Sequence, residues 1–223
     1  MAMISILGLK KAYRRGEESV LACEVSSLRI DVGEQVALVG RSGTGKTTLL
    51  NAIAGILVPD AGRIEVNGTD VVQLSEASRD RFRADHIGMV FQTLNLLQPF
   101  SAIENVMLGA VFGCSRRKDV RERAEALLER VGLGDRMQHK PGELSQGQAQ
   151  RVAMCRALIN EPELILADEP LGNQDRQTGR DVLELLLEMS REGGRTVVMV
   201  THDPQSAEQM QRTVDLHELR SAS

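Results

Sequence analysis

One stretch, Val36 to Leu50, constrains the fold more than any other: V-A-L-V-G-R-S-G-T-G-K-T-T-L-L. Its apolar run, Val36 to Val39, stops at Gly40; a glycine-rich turn follows, and a helix-forming pattern runs from Gly45 to Leu50. Strand, loop and helix N-terminus in that order are the setting in which Gly-x-x-x-x-Gly-Lys-[Ser/Thr] cradles phosphate. Glycines at 40, 43 and 45 let the backbone wrap closely around an anion with several N–H groups aimed at it. The helix adds the positive end of its dipole. Lys46 supplies a mobile charge for β- and γ-phosphates, and the Thr47 hydroxyl can bind Mg²⁺. The spacing is not that of Gly-x-Gly-x-x-Gly, and no acidic residue stands where a ribose partner is wanted, so a dinucleotide fold is excluded.

The flanking chain reads as alternating strands and helices. Residues 3 to 9 and 25 to 31 alternate apolar and polar positions, which predicts two antiparallel strands, with Tyr13 in the polar connection between them. Gly33-Glu34 is a turn into the strand that ends at the cradle. The cradle helix ends near Gly55, and Pro59-Asp60-Ala61-Gly62 has turn chemistry. Arg63 to Val66 followed by Asn67-Gly68 predicts a short strand and a hairpin turn. Ser78 to Ala84 reads as a short polar helix, and His86 to Phe91 as a strand ending at Gln92. From there to Pro141 the pattern turns helical: Val120, Ala124, Leu127, Leu128 and Val131 share one face of a helix over Arg116 to Val131. A helical block between two strands predicts a subdomain beside the sheet. Leu94, Leu96, Leu97 and Phe100, in the segment Thr93 to Ser101, read either as its core or as a groove for a partner.

Two further clusters carry chemistry. Glu143-Leu144-Ser145-Gln146-Gly147-Gln148 precedes a helix over Gln150 to Ile159, with Ser145 as N-cap and Gln148 as its capping-box companion. That is a helix start, and equally the form of a second anion site. Leu164 to Ala167 predicts a buried strand that delivers Asp168 and Glu169 at its tip. Adjacent carboxylates repel unless compensated; a divalent ion shared with Thr47 would serve Asp168, leaving Glu169 to face a water. The strand Thr196 to Val200 ends at Thr201-His202-Asp203, and strand ends of a parallel α/β sheet are where chemistry collects.

Composition narrows the function classes. Aromatic residues make up 2% of the 223, with no Trp and one Tyr, which removes base-stacking platforms for single-stranded nucleic acid. A net charge of −4 argues in the same direction, so no nucleic-acid partner is expected. The three cysteines, Cys23, Cys114 and Cys155, lack metal-ligand spacing and predict reduced thiols. No signal peptide is expected at Met1 to Leu9, and apolar runs of about five residues fall far short of the roughly 20 that span a bilayer.

With these residues in place, the chain resembles the ATP-binding subunit of an ABC transporter over essentially its whole length. The resemblance rests on the Walker A segment Gly40 to Thr48, the Q-loop at Gln92 and the signature Leu144-Ser145-Gln146-Gly147-Gln148. It continues in Walker B ending at Asp168 with Glu169 next, a D-loop with Asp175 and the switch histidine His202. Leu166 to Pro170 followed by Gly172-Asn173, with Phe91-Gln92 leading to Glu104-Asn105-Val106, resembles the lipoprotein-releasing and macrolide-efflux branch.

The resemblance implies an α/β P-loop NTPase of ABC type: a mostly parallel sheet core, an antiparallel β subdomain and an inserted helical subdomain. Residues 1–223 would form one ATP-binding domain, with about 93–150 as the helical part carrying the signature. It implies an ATPase using ATP and Mg²⁺. Tyr13 would stack on adenine; Gly40, Ser42, Gly43, Gly45, Lys46, Thr47 and Thr48 would bind the phosphates. Thr47, Gln92 and Asp168 would serve the metal, Glu169 would be the general base, Gln92 would touch the attacking water, and His202 would contact the γ-phosphate. Ser145, Gly147 and Gln148 would reach the nucleotide of a second copy, making a head-to-tail homodimer. Transmembrane permease subunits would be partners, on the cytoplasmic face of the inner membrane. A non-transport regulatory ATPase on a membrane partner, of cell-division type, is the alternative. Three positions depart from the family: Gln146 stands where Gly is usual, and Leu171 and Gln174 replace Thr and Leu. If residue 146 needed positive φ, its Cβ would cost about 1 to 2 kcal/mol.

Overall fold

The computed structural model describes residues 1–16, 18–41, 43–111, 113, 119–171 and 176–220. Ser42, Cys114, residues 116–118 of the expected helix, Gly172, Asn173, Gln174, Asp175 and the tail 221–223 lie outside the described residues. Two sheets and a helical layer make up the rest. The first sheet is an antiparallel unit of β1 (Ala2–Arg15), β2 (Glu18–Asp31), β4 (Ala61–Val66) and β5 (Thr69–Asp70), in the order β2-β1-β4-β5. The second holds β3 (Gln35–Val39), β6 (Ile87–Val90), β7 (Leu164–Asp168), β8 (Thr196–Val200) and β9 (Arg212–Asp215), all parallel, in the order β6-β7-β8-β3-β9.

The parallel sheet is apolar on both faces, as a sheet covered on both sides must be. Alternate side chains point to opposite faces of a strand. Val36, Leu38, Leu164, Leu166, Val198 and Val200 join the core formed with the antiparallel sheet and α1 (Lys46–Ile53). Ala37, Ile165, Ala167, Val197 and Met199 join the other core. That side is covered by α3 (Ala102–Leu108), α4 (Val120–Arg130), α5 (Gln146–Leu158) and α6 (Arg176–Glu192). α2 (Glu76–His86) precedes β6, and α7 (Pro204–Ala207) follows β8. Helices α3 and α4 lie within Gln92 to Pro141, α5 follows before β7, and Ala124, Leu128 and Val131 are buried in the helical layer.

Three local expectations are corrected. Tyr13 lies within β1, paired with Val20, and not in a connection. The polar run Lys10-Lys11 hides the alternation, but the ladder continues because backbone groups make it. Ala61 and Gly62 begin β4 and are not turn residues. Gly62 has φ 96°, and a Cβ there would stand 2.6 Å from the Gly8 backbone, so this glycine serves a close approach of two strands. The helix expected from Gln150 begins at Gln146, directly after its Ser145 cap, because the polar first turn Gln146-Gly147-Gln148 carries no apolar periodicity.

Candidate active site

β3 is an interior strand, between β8 and the edge strand β9, and Gly40 follows its last residue at the strand tip. Gly43 and Gly45 have φ of 80° and 91°, in the left-handed region that glycine enters without cost. A Cβ on Gly45 would fall 2.1 Å from the Ala22 carbonyl oxygen, so β2 presses on the loop as closely as a backbone can. The Lys46 ammonium, only 7% exposed as a residue, donates to the carbonyls of Gly40 (2.8 Å) and Arg41 (3.1 Å). Arg41 also accepts from the Thr44 hydroxyl at 2.8 Å, closing the loop on itself. Gly45 is the N-cap of α1, and among the described residues no side chain caps that helix.

A cavity of about 610 Å³ opens over this loop. Gly43, Gly45, Lys46, Thr47 and Thr48 form one side, Val20, Leu21 and Ala22 of β2 another, and Glu169 and His202 the third. Asp168 Oδ1 accepts from the Thr47 hydroxyl at 3.2 Å, across 121 residues of sequence. Burial raises the Asp168 carboxyl above its ordinary range; the Thr47 hydrogen bond opposes that, and the neighbouring Glu169 charge adds to it. Glu169 has φ 43°, unusual for a residue with a Cβ, and its N–H donates to the Val200 carbonyl at 2.9 Å. Its carboxylate lies between two polar side chains: His202 Nδ1 at 3.0 Å from Oε1, and Gln92 Nε2 at 3.5 Å from Oε2. A carboxylate only accepts, so the imidazole must carry a proton on Nδ1 to pair with it.

This donor set fits magnesium. Thr47 and Asp168 offer two adjacent hard oxygens, and among the described residues no cluster of three acidic, His or Cys side chains forms a closed cage. Mg²⁺ takes one or two protein oxygens and completes its shell with water and substrate phosphates, neutralising their charge. Thr47 and Asp168 would hold it, with the Gln92 amide nearby.

The structure therefore brings together Gly43, Gly45, Lys46, Thr47, Thr48, Asp168, Glu169, His202 and, through Glu169, Gln92. Gly40 lies behind the cradle as the Lys46 acceptor. Tyr13 stands one strand back from the wall, paired with Val20 and 48% exposed. Ser145, Gly147 and Gln148 do not line the cavity; they open α5, where Ser145 Oγ accepts from the Gln148 N–H and the Gln148 side chain accepts from the Ser145 N–H. The strain considered for Gln146 is absent, because the residue occupies the first helical position of α5 and is not in the positive-φ region. Leu171 packs on the core and against Gly179.

Residues 23–172 match the family model for the ABC transporter. The chain belongs to this family. It is an ABC ATPase cassette, an ATP-binding module. It is 43% identical over 217 residues to the lipoprotein-releasing system ATP-binding protein LolD of Pseudomonas fluorescens, covering 97% of this chain and 96% of that protein. It is 45% identical over 215 residues to the macrolide export ATP-binding/permease protein MacB of Rhodopirellula baltica, covering 95% of this chain but 31% of that longer protein. Among solved structures, the dimeric post-hydrolysis state of the cassette MJ0796 bound to ADP and Pi superposes with a TM-score of 0.86 at 37% identity, covering 96% of this chain and 94% of that one. Both named relatives fall in the branch that the motifs resemble.

Some residues of this ABC cassette were not legible as site residues. Val20, Leu21 and Ala22 form a wall of the cavity; their signal was three consecutive apolar residues in a strand that otherwise alternates. Buried Gln150 donates to the Pro170 carbonyl, tying α5 to the chain just after Glu169. Arg156, at the far end of α5, donates to the carbonyls of Asn95 (2.7 Å) and Leu94 (2.6 Å), gripping the segment after Gln92 where Asn95 has φ 50°.

Proposed function

We propose that this cassette is the motor subunit of a membrane transport or extraction complex, in which ATP joins two copies head to tail and hydrolysis releases them. Residues 1–223 act as one ATP-binding domain, with about 93–150 as its helical part. The observation that carries the reading is the half-built cavity: phosphate loop, Thr47 with Asp168 hydrogen-bonded behind it, and Glu169 come from one chain, whereas Ser145, Gly147 and Gln148 lie outside its wall. The signature of a second copy supplies what is missing. The dimeric MJ0796 structures support this arrangement.

The geometry supports the following roles. Backbone N–H groups of the loop and Lys46 would hold the triphosphate, and Thr47 and Asp168 would hold its metal. Glu169, restrained at its N–H by Val200 and paired with His202, takes a proton from the attacking water. His202 and Gln92 keep that carboxylate aimed, and Tyr13 meets the base. Among the described residues no helix is long and apolar enough to cross a membrane. Transmembrane permease subunits carry the substrate in this reading, which the names of the LolD and MacB relatives support. They dock beside the Gln92 segment, where Leu97 and Phe100 are exposed and Phe100 borders an apolar groove of about 360 Å³ with Met107, Leu108 and Val111. Beside those subunits the cassette sits on the cytoplasmic face of the inner membrane in this reading. Light scattering of the Glu169→Gln chain saturated with Mg-ATP tests the central claim. Twice the protomer mass is expected; protomers alone, with and without membrane partners, would count against it.

A further inference from the structure

The cavity wall opposite the phosphates is secured by a carboxylate that does not line it. Asp60, immediately before β4, accepts from the Ala12 N–H at 2.7 Å and from Lys11 Nζ at 2.9 Å, and its own N–H donates to the Lys10 carbonyl at 2.9 Å. Lys11 Nζ also donates to the Val58 carbonyl at 3.0 Å. Four hydrogen bonds thus converge on three residues of β1, at and just beyond the point where β4 stops pairing with it, since the last paired positions are Lys10 and Ala61.

Those three residues flank an irregularity in the hairpin. Lys11 is paired with Cys23 but Ala12 with Leu21, which leaves Ala22 as the extra residue of a bulge in β2. The Ala22 carbonyl is the atom that presses on Gly45, and Val20, Leu21 and Ala22 are the apolar wall of the cavity. Tyr13 follows directly, paired with Val20, and Lys11 Nζ stands 5.8 Å from its ring centre. If the phosphates take the polar end over Gly43 to Thr48, the flat, less polar base and ribose face the β2 wall. Bulges re-aim the strand that carries them, and here the unbulged partner strand is pinned by Asp60.

We propose that Asp60, assisted by Lys11, is a positioning residue for the base and ribose of the nucleotide: through the β1–β2 bulge it sets the wall of Val20 to Ala22 against the phosphate loop. The inference rests on the reading of the cavity as the ATP site. Asp60 does not line the cavity, and its half-exposed carboxylate limits what the ion pair with Lys11 contributes by charge alone. The hydrogen bond to the Ala12 amide is the element that carries the effect.

Calorimetric titration with Mg-ATP and with Mg-tripolyphosphate, which lacks base and ribose, tests this in the full chain. Asp60→Ala is expected to weaken ATP about 5- to 20-fold, the scale of one or two lost hydrogen bonds, and to leave tripolyphosphate within about twofold. Asp60→Asn keeps an acceptor for the Ala12 amide and recovers most of the ATP affinity. In turnover assays KM for ATP rises while kcat changes little. Lys11→Met leaves the Ala12 bond in place and gives a smaller loss, which serves if Asp60→Ala does not fold. Equal losses for the two ligands, or Asp60→Ala and Lys11→Met chains that bind ATP as the wild type does, would overturn the proposal. Wild-type protein that binds ATP no better than tripolyphosphate would instead defeat the nucleotide reading beneath it.

Discussion

Helices α1 and α5 both open on a sequence suited to an anion, but they satisfy their first amides in different ways. α1 is capped by Gly45 in the left-handed region, with no described side chain on its first N–H groups. α5 is capped by Ser145 at φ −63° and ψ 161°, in a complete capping box with Gln148. Unsatisfied amides at a helix start need a partner; α1 leaves several of its own to a bound phosphate, whereas α5 folds with part of that need met from within. The serine hydroxyl nonetheless keeps its proton: Ser145 Oγ accepts from Gln148 and can still donate to an incoming phosphate oxygen. In the proposed dimer the first helix is a site in its own right, and the second becomes one when another copy brings its nucleotide.

Substitutions can break that contrast, beginning with the strongest. Glu169→Gln should lower ATP turnover about 10²- to 10⁴-fold while ATP still binds, holding both helix starts in the bound state; phosphate release assays and nucleotide titration read the two effects separately. Gly45→Ala attacks α1 alone, since the new Cβ overlaps the Ala22 carbonyl in a left-handed residue. ATP affinity measured by a fluorescent analogue should fall at least about tenfold, the equivalent of the left-handed penalty by itself.

At α5 a pair of variants separates cap from site. Ser145→Ala should cost about 1 kcal/mol of stability in urea titration. Ser145→Asp keeps the cap and should stay within about 0.5 kcal/mol of wild type. Placed in the Glu169→Gln background, it should nevertheless abolish the Mg-ATP dimer in light scattering, because a carboxylate then faces the phosphate. A dimer that survives would mean α5 is only a helix start.

A last effect, on stability against pH, uses a thiol beside each region. Cys23 lies behind Gly45, and Cys155 is in α5. Burial pushes the Cys23 thiol from 9.0 up to about 11, with Arg220 opposing, and the Cys155 thiol up to about 12. A thiol that stays protonated in the fold contributes stability that is complete below the unfolded value and is lost as pH rises through the folded one. Urea midpoints should hold to about pH 9 and then decline, with Cys155→Ala flattening the decline more than Cys23→Ala.

The elements that could be read from sequence were those with short-range rules. Apolar runs bounded by breakers located β3, β7 and β8, and the Ser145–Gln148 box marked a helix boundary better than periodicity did. Tyr13 was misplaced because two lysines mask a ladder made by backbone, and Gly62 because the same residue type serves turns and close strand contacts. Asp60 looked like part of a turn; that its carboxylate reaches Ala12 across 48 residues has no local signature.

By itself the sequence determined the phosphate loop, both helix starts and the identities of the acid, histidine and amide groups, since each depends on residues a few positions apart. Only the tertiary structure decided which of them meet. β8 lies between β3 and β7 with Val200 beside both Leu38 and Asp168, and that parallel register carries Thr47 to Asp168 and His202 to Glu169. The physical reason is that register is set by burying both faces of the sheet at once, a condition on the whole chain that no single motif contains.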